Sequence, residues 1–328
     1  VEAGTDAPAV LLDAVRSVGE DAAGALKLAE EHAPGVPLPG NGSTRHRWAF
    51  LAAVAEVSVT AARVFEAHLD ALAILAEAGN PRPAGAWGVF AAEGPYVRLD
   101  AVETAGAFRL TGTKPWCSLA GLLDSGLVTA NVPGGRRLFS VDLRQAGVHV
   151  QSSEGWISRG LRSVPSGPVS FEGALAHPIG PVDWYLTRPG FAWGGIGVAA
   201  CWHGAATGFL PSLRRRATTG DQLAAYHLGA ADVALHASRS VLDASAVAID
   251  GGAAQGIQGQ ILALRVRSVV ADAVEQVLTH VAHALGPAPL AFDEAHAARV
   301  ADLGLYVRQH HAERDLAALG QQVAGRFG

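Results

Sequence analysis

Phe108–Ala120, FRLTGTKPWCSLA, sets a tryptophan and a hydroxyl two residues apart just beyond a strand and a glycine turn. Phe108 and Leu110 alternate as strand residues, Gly112 turns the chain, and Trp116 and Ser118 follow. Together they offer an apolar plate and a hydrogen-bond donor, the two things a flat, redox-active heterocycle needs at one edge. The same residues also describe a hairpin whose tryptophan is simply core. His280 and His283, three apart, have the spacing of metal ligands, but no carboxylate completes the set, and packing or surface is the plainer reading. No G-x-S-x-G and no Gly-rich nucleotide loop is present, so hydrolase and Rossmann readings have no support.

These residues need elements to hold them, and the chain reads as helix, then strand, then helix. Over residues 7–80, Leu11, Leu12, Val15 and Val18 recur at helical spacing. A turn-rich break covers 34–43, and Ser43 or Thr44 can cap a helix from Arg45 to about Ala78. That helix is apolar on most sides and is expected to be buried, with His68 a packing residue. Gly79-Asn80-Pro81-Arg82-Pro83 ends it.

Seven short runs follow between Ala86 and Pro181: Trp87–Ala91, Tyr96–Val102, Ala107–Thr111, Ser125–Asn131, Arg137–Asp142, Val148–Ser152 and Gly167–Glu172. Gly, Pro and Asn separate them, which predicts a compact antiparallel barrel or sandwich. Phe191–Leu213, Gln222–Ile249, Ile257–Leu285 and Asp293–Leu319 predict a four-helix bundle. The expected organisation is α+β: a helical domain over 1–80, a β-domain over 81–183 and a bundle over 184–328.

The 328 residues suffice for a large core, and 49% hydrophobic against 17% charged residues fits extensive buried or subunit-facing surface. A net charge of -5 without a basic block argues against nucleic acid. The longest apolar runs, such as Trp48–Val59 with Glu56 inside it, are too short for a bilayer. Two cysteines, Cys117 and Cys201, are too few for a disulfide framework, and a cytoplasmic setting is expected.

The order of these parts, with the motifs they carry, resembles the acyl-CoA dehydrogenase superfamily of flavoproteins. Leu110–Ser118 resembles the family's L-x-G-x-K-x-W-(I/C)-(S/T) stretch. Gly160-Leu161-Arg162-Ser163 with Ser166, Val169 and Phe171 resembles G-(M/L)-R-x-S-x-(T/S)-x-x-V-x-F. Thr187-Arg188-Pro189 through Gly195-Ile196-Gly197 resembles the start of the family's bundle.

The resemblance implies FAD at the junction of β-domain and bundle, with Trp116 and Ser118 beside the flavin ring. It places Gly286 and one of Arg214–Arg216, foremost Arg214 or Arg216, near the FAD phosphates. Their plain alternatives are a helix C-cap and a solvated helix end. It implies α,β-dehydrogenation of an acyl thioester, with electron-transfer flavoprotein as oxidant, in a homodimer or homotetramer.

Three departures stand against that activity. The family's T-E-P-x-x-G-S-D loop is reduced to Ala92-Glu93-Gly94-Pro95. The arginine run leads into Ala217-Thr218-Thr219-Gly220 instead of x-x-F-G. The Y-E-G-T turn that carries the usual Glu base corresponds to Leu305–Asp315, where no Glu stands at the aligned place and His310 or His311 does. The alternative base position falls near Gly190.

His310 and His311 are the candidate replacement bases, since an imidazole titrates near pH 6.5. A polar helix edge or a subunit contact would account for them equally, and Glu313 could pair with His310 on a helix. Two other readings follow from the departures: a flavin monooxygenase of the same fold, and a non-catalytic subunit of a heteromeric dehydrogenase with a shortened helical front.

Overall fold

The computed structural model describes residues 7–80, 83–151 and 155–325. Pro81 and Arg82 of the expected first boundary, and Ser152 of the expected sixth strand, lie outside the described residues.

The front is four helices: α1 (Ala9–Val18), α2 (Ala22–His32), α3 (Thr44–Val57) and α4 (Val59–Glu77). The single helix expected over 45–78 is two. Ser58 is extended (φ -144, ψ 121) and serves both ends. Its N–H bonds Val54 O at 2.9 Å to close α3, and its hydroxyl accepts from Ala61 N–H at 3.1 Å to open α4. Thr44 Oγ1 accepts from Gly40 N–H at 2.7 Å and donates to Asp250 at 2.6 Å, so the preceding turn is tied to a distant helix.

Seven strands follow at the predicted places: β1 (Trp87–Phe90), β2 (Leu99–Thr104), β3 (Ala107–Lys114), β4 (Ser125–Val132), β5 (Gly135–Asp142), β6 (Val148–Val150) and β7 (Val169–Ile179). Pairing runs β1-β4-β2-β3-β7-β5, and β5 pairs back onto β4, so the sheet closes on itself. The expected all-antiparallel barrel is in fact mixed, because β1 and β2 run parallel to β4. β1 enters the sheet from α4 and not from a hairpin, which frees it to run alongside β4. Opposite Leu110 and Thr111 of β3 the register shifts by one residue, and the extra residue is Gly173 of β7 (φ 70). Gly112 (φ 124) has Arg98 O only 2.2 Å from where a Cβ would stand, a close approach that only glycine allows.

The remaining helices are α5 (Trp184–Thr187), α6 (Pro189–Thr207), α7 (Leu210–Ala217), α8 (Gln222–Asp250), α9 (Gly256–Leu285), α10 (Ala288–Phe292), α11 (Glu294–Tyr306) and α12 (Glu313–Ala324). α8 and α9 pack on each other and on α6, and α3 packs on α6 as well. The expected fourth bundle helix over 293–319 does not form as one piece. A 3₁₀ turn at Val307–Gln309 and Ala312 at φ 46 separate α11 from α12.

One core runs from α1 through the barrel to α11, with Phe65, Trp202 and Tyr306 among its largest members. Along α8, Leu223, Tyr226, Val233 and Val247 are 64–70% exposed and follow one another at three, seven and fourteen residues, which sets them on one side of the helix. Among the described residues no helix is long and apolar enough to cross a membrane.

Candidate functional site

The Trp116 turn is held rigidly from below. β3 ends at Lys114, whose side chain is buried and whose Nζ donates to Glu93 Oε1 at 2.6 Å and Thr129 Oγ1 at 2.8 Å. Burial lowers the Lys114 pKa, and the Glu93 carboxylate works against that. Glu93 belongs to the reduced A-E-G-P loop, so this remnant still anchors the turn.

Cys117 N–H bonds Gly167 O at 2.9 Å and Leu119 N–H bonds Pro165 O at 3.0 Å, which joins the turn to residues 160–168. Cys117 itself packs inward, and burial pushes its thiol up to about 12, out of reach of thiolate chemistry. Trp116 cannot follow it. At φ 59 the backbone is left-handed, and the indole stands 57% exposed. The core-tryptophan reading is therefore wrong: the fold spends backbone strain, of order 1–2 kcal/mol, on presenting this ring outward.

Ser118 meets groups that sequence reasoning did not single out as site residues. Its Oγ lies 2.7 Å from Ser166 Oγ and accepts from Arg63 Nη2 of α4 at 3.2 Å. Ser166 donates to Val164 O at 3.2 Å, so the hydroxyl proton of Ser118 points to Ser166. Arg63 Nη1 bonds Glu66 Oε2 at 2.7 Å, and Tyr306 O–H donates to the same oxygen at 3.2 Å. The Arg63 and Glu66 side chains are only 14% and 11% exposed. Burial raises the Glu66 pKa, and Arg63 opposes it. A hydrogen-bonded chain thus leads from the seam at Ser118 into a buried Arg–Glu–Tyr cluster. Its sequence signal is two opposite charges three residues apart inside a helix that is apolar on most sides.

The loop carrying Ser166 is docked on α11. Leu161 N–H donates to Asp302 Oδ1 at 2.5 Å, and Gly160 lies against the Ala301 carbonyl. Burial pushes the Asp302 carboxyl up to about 6, partly offset by the Leu161 N–H. A carboxyl whose pKa is higher folded than unfolded supports the fold fully below its ordinary range near 4 and loses that support as pH rises through about 6. Asp302→Asn removes this dependence. The stability of the variant relative to the parent should climb between about pH 4 and pH 7, measured by urea unfolding at each pH. A flat difference would contradict it.

On the bundle side, Tyr306 is followed by Val307, which is 2% exposed. Arg267 braces the turn beyond it, donating to Gln309 O and Gly195 O at 2.7 Å each, with its guanidinium 4.8 Å from the Trp202 ring centre. His310 is tucked in, its side chain 9% exposed, with Nε2 3.2 Å from Ser268 Oγ and 3.7 Å from Asp315. Ser268 donates its proton to Leu264 O at 2.8 Å, which assigns the hydrogen to His310 Nε2 and leaves Nδ1 as the basic atom. Burial lowers the His310 pKa, and Asp315 opposes it. His311 points out, 66% exposed, 3.4 Å from Asp315. The expected His310–Glu313 pair does not form. Ala312 breaks the helix between them, and Asp315 takes both imidazoles. Near Gly190, the alternative base position, Glu77 accepts from Gly190 N–H at 3.0 Å but is also paired to Arg188 at 2.6 Å.

The phosphate candidates lie elsewhere. Arg214, Arg215 and Arg216 are exposed in the last turn of α7, Arg216 paired with Asp221 at 2.6 Å. Gly286 (φ 68) caps α9 through Ala282 O. Among the described residues no hydrogen bond or ion pair joins them to Trp116 or Ser118. His280 and His283 lie near this end of α9, with His280 Nδ1 3.0 Å from His227 Nδ1. His68 is a satisfied packing residue, its Nδ1 3.2 Å from Trp87 N–H.

No model of a known protein family matches the sequence, and no curated protein does. Solved structures do match in fold. Indole-bound TdsC from Paenibacillus sp. A11-2 is 16% identical, with a TM-score of 0.79 over 97% of this chain and 96% of that one. KijD3 in complex with FMN and dTDP-3-amino-2,3,6-trideoxy-4-keto-3-methyl-D-glucose is 16% identical, with a TM-score of 0.80 over 100% and 97%. A nitrososynthase from Micromonospora carbonacea var. africana is 15% identical, with a TM-score of 0.79 over 98% and 94%. TdsC is described as a dibenzothiophene monooxygenase and has also been solved with FMN and indole together. The chain therefore has the acyl-CoA dehydrogenase-like fold of these flavoproteins.

Proposed function

We propose that this chain is a flavin-dependent oxidoreductase, and within that class a monooxygenase that uses FMN. The observation that carries the reading is the α11–α12 turn. In the stretch where the resemblance sets the usual carboxylate base, His310 and His311 stand instead, and of the acids that follow them Glu313 is exposed at the start of α12 and Asp315 is engaged with both imidazoles. Proteins of like fold that hold FMN, one of them a monooxygenase, support the cofactor and the reaction class. FMN is preferred to the expected FAD because the proteins of like fold solved with a flavin hold FMN.

The residues at the seam fit a flavin. Trp116 offers an exposed aromatic face, and Ser118 and the Arg63 guanidinium offer donors beside it. Trp116 would bear on the ring, and Ser118 would turn its proton from Ser166 to a polar atom of the ring's edge. Arg63 would hold Ser118 in place while Glu66 and Tyr306 hold Arg63. A bound flavin would supply two-electron redox chemistry and, once reduced, reactivity with dioxygen. His310 Nδ1 is the proton acceptor this chain provides on the bundle side, with His311 outside it.

The test is the fate of the reduced complex. Protein loaded with FMN and reduced anaerobically should consume dioxygen on mixing. Reduction of the bound flavin by an acyl-CoA, with no oxygen uptake afterwards, would overturn the monooxygenase reading in favour of α,β-dehydrogenation.

A further inference from the structure

A groove of about 120 Å³ opens between α3, α6 and α8. It is separate from the seam: consecutive α6 residues face opposite ways, Trp202 toward Tyr306 and Arg267, His203 into the groove. Its apolar walls include Trp48, Ala200 and Leu242. Its rim carries Arg45, Arg239, Glu56 and Asp243, two charges of each sign, with Arg45 bonded to Asp243 at 2.9 Å. The lining is thus neutral overall and unsuited to an ion.

His203 is 9% exposed. Its Nδ1 lies 2.6 Å from Ser238 Oγ, and Ser238 donates its only proton to Leu235 O at 3.0 Å. The hydrogen between the two side chains therefore belongs to His203 Nδ1, and Nε2 keeps a free lone pair. Burial foremost, and Arg239 next, lower the imidazole's pKa to about 4, so it stays neutral near pH 7. Among the described residues nothing donates to Nε2. That acceptor opens onto the groove, where a donor on a bound molecule can meet it among apolar walls.

We propose that this groove binds a small uncharged aromatic molecule with one hydrogen-bond donor, a phenol-like hydroxyl or an N–H heterocycle, which bonds His203 Nε2. The ring fills the apolar part beside Trp48 and Leu242, and the donor satisfies the imidazole. The site is independent of the flavin.

Phenol and toluene are the probes, titrated calorimetrically into the full chain. Phenol should bind saturably, one per chain, and toluene about tenfold more weakly, the factor expected from one buried hydrogen bond. His203→Phe should weaken phenol binding by a similar factor and abolish the preference over toluene, with the helical circular dichroism unchanged. Ala49→Phe, on the groove's α3 wall, should block both probes without touching His203 and carries the test if His203→Phe does not fold. Absence of saturable phenol binding, equal affinity for toluene, or undiminished binding in the variant that folds would each overturn the proposal.

Discussion

Arg63→Ala should lower the free energy of unfolding by about 3–5 kcal/mol near neutral pH, the usual cost of removing one partner from a buried ion pair. Glu66 then loses its 2.7 Å partner while remaining 11% exposed, and Tyr306 alone still bonds it. The deficit should depend on pH in a fixed direction. Glu66 already has a raised pKa, chiefly from burial, and losing the guanidinium raises it further. A carboxyl with a folded pKa above its unfolded one favours the fold at low pH and loses that contribution as pH rises through the folded value. The variant should therefore come closest to the parent near pH 4–5 and fall furthest behind at pH 8. Adding Glu66→Gln should recover part of the loss at high pH. Urea unfolding of the flavin-free protein measures all of this. A deficit under about 1 kcal/mol at every pH, as for an exposed pair, would show that the cluster is solvated.

Gly160→Ala should be nearly as damaging, for a steric reason. A Cβ at this position would stand 2.1 Å from Ala301 O and 2.6 Å from Ala301 C, backbone atoms of α11 that cannot swing aside. Relief requires the loop to lift from the helix, which costs about 1–3 kcal/mol or more and breaks the Leu161 N–H bond to Asp302. The melting temperature should fall by several degrees, and the Leu161 amide should lose its protection from hydrogen exchange. Gly167→Ala, in the same loop with nothing within 4 Å of its Cβ position, is the control and should be close to neutral. Equal effects of the two would refute the docking of this loop on α11.

The strands were legible because alternation and Gly/Pro punctuation act locally: each predicted run lies on or beside an observed strand. The mixed direction of the sheet was not, since parallel β1–β4 pairing depends on where α4 delivers the chain. The break at Ser58 was hidden because a serine with apolar neighbours on both sides reads as one more helical position, and only its dihedrals reveal a double cap. Similarly, Ala312 carries no sequence signal for φ 46, so a continuous helix was expected and with it the His310–Glu313 pair.

At the proposed site, one motif singles out Trp116 and Ser118, and the structure exposes the first and ties the second to Arg63 and Ser166. Arg63 and Glu66 were not legible, because a charge on a helix looks solvated until the elements covering it are known. Tyr306 was read only as part of an altered turn, yet its hydroxyl closes the chain that begins at Ser118.

The most direct test of the central claim is a titration of the purified protein with FMN, followed by quenching of flavin fluorescence, in the parent and in Trp116→Ala. Stoichiometric, saturable quenching in the parent, weakened at least about tenfold in the variant with its fold intact, is the predicted result; stacking on an aromatic ring is worth roughly that much. If the parent leaves FMN free at micromolar protein, or binds it no better than Trp116→Ala does, the flavin does not sit at this seam.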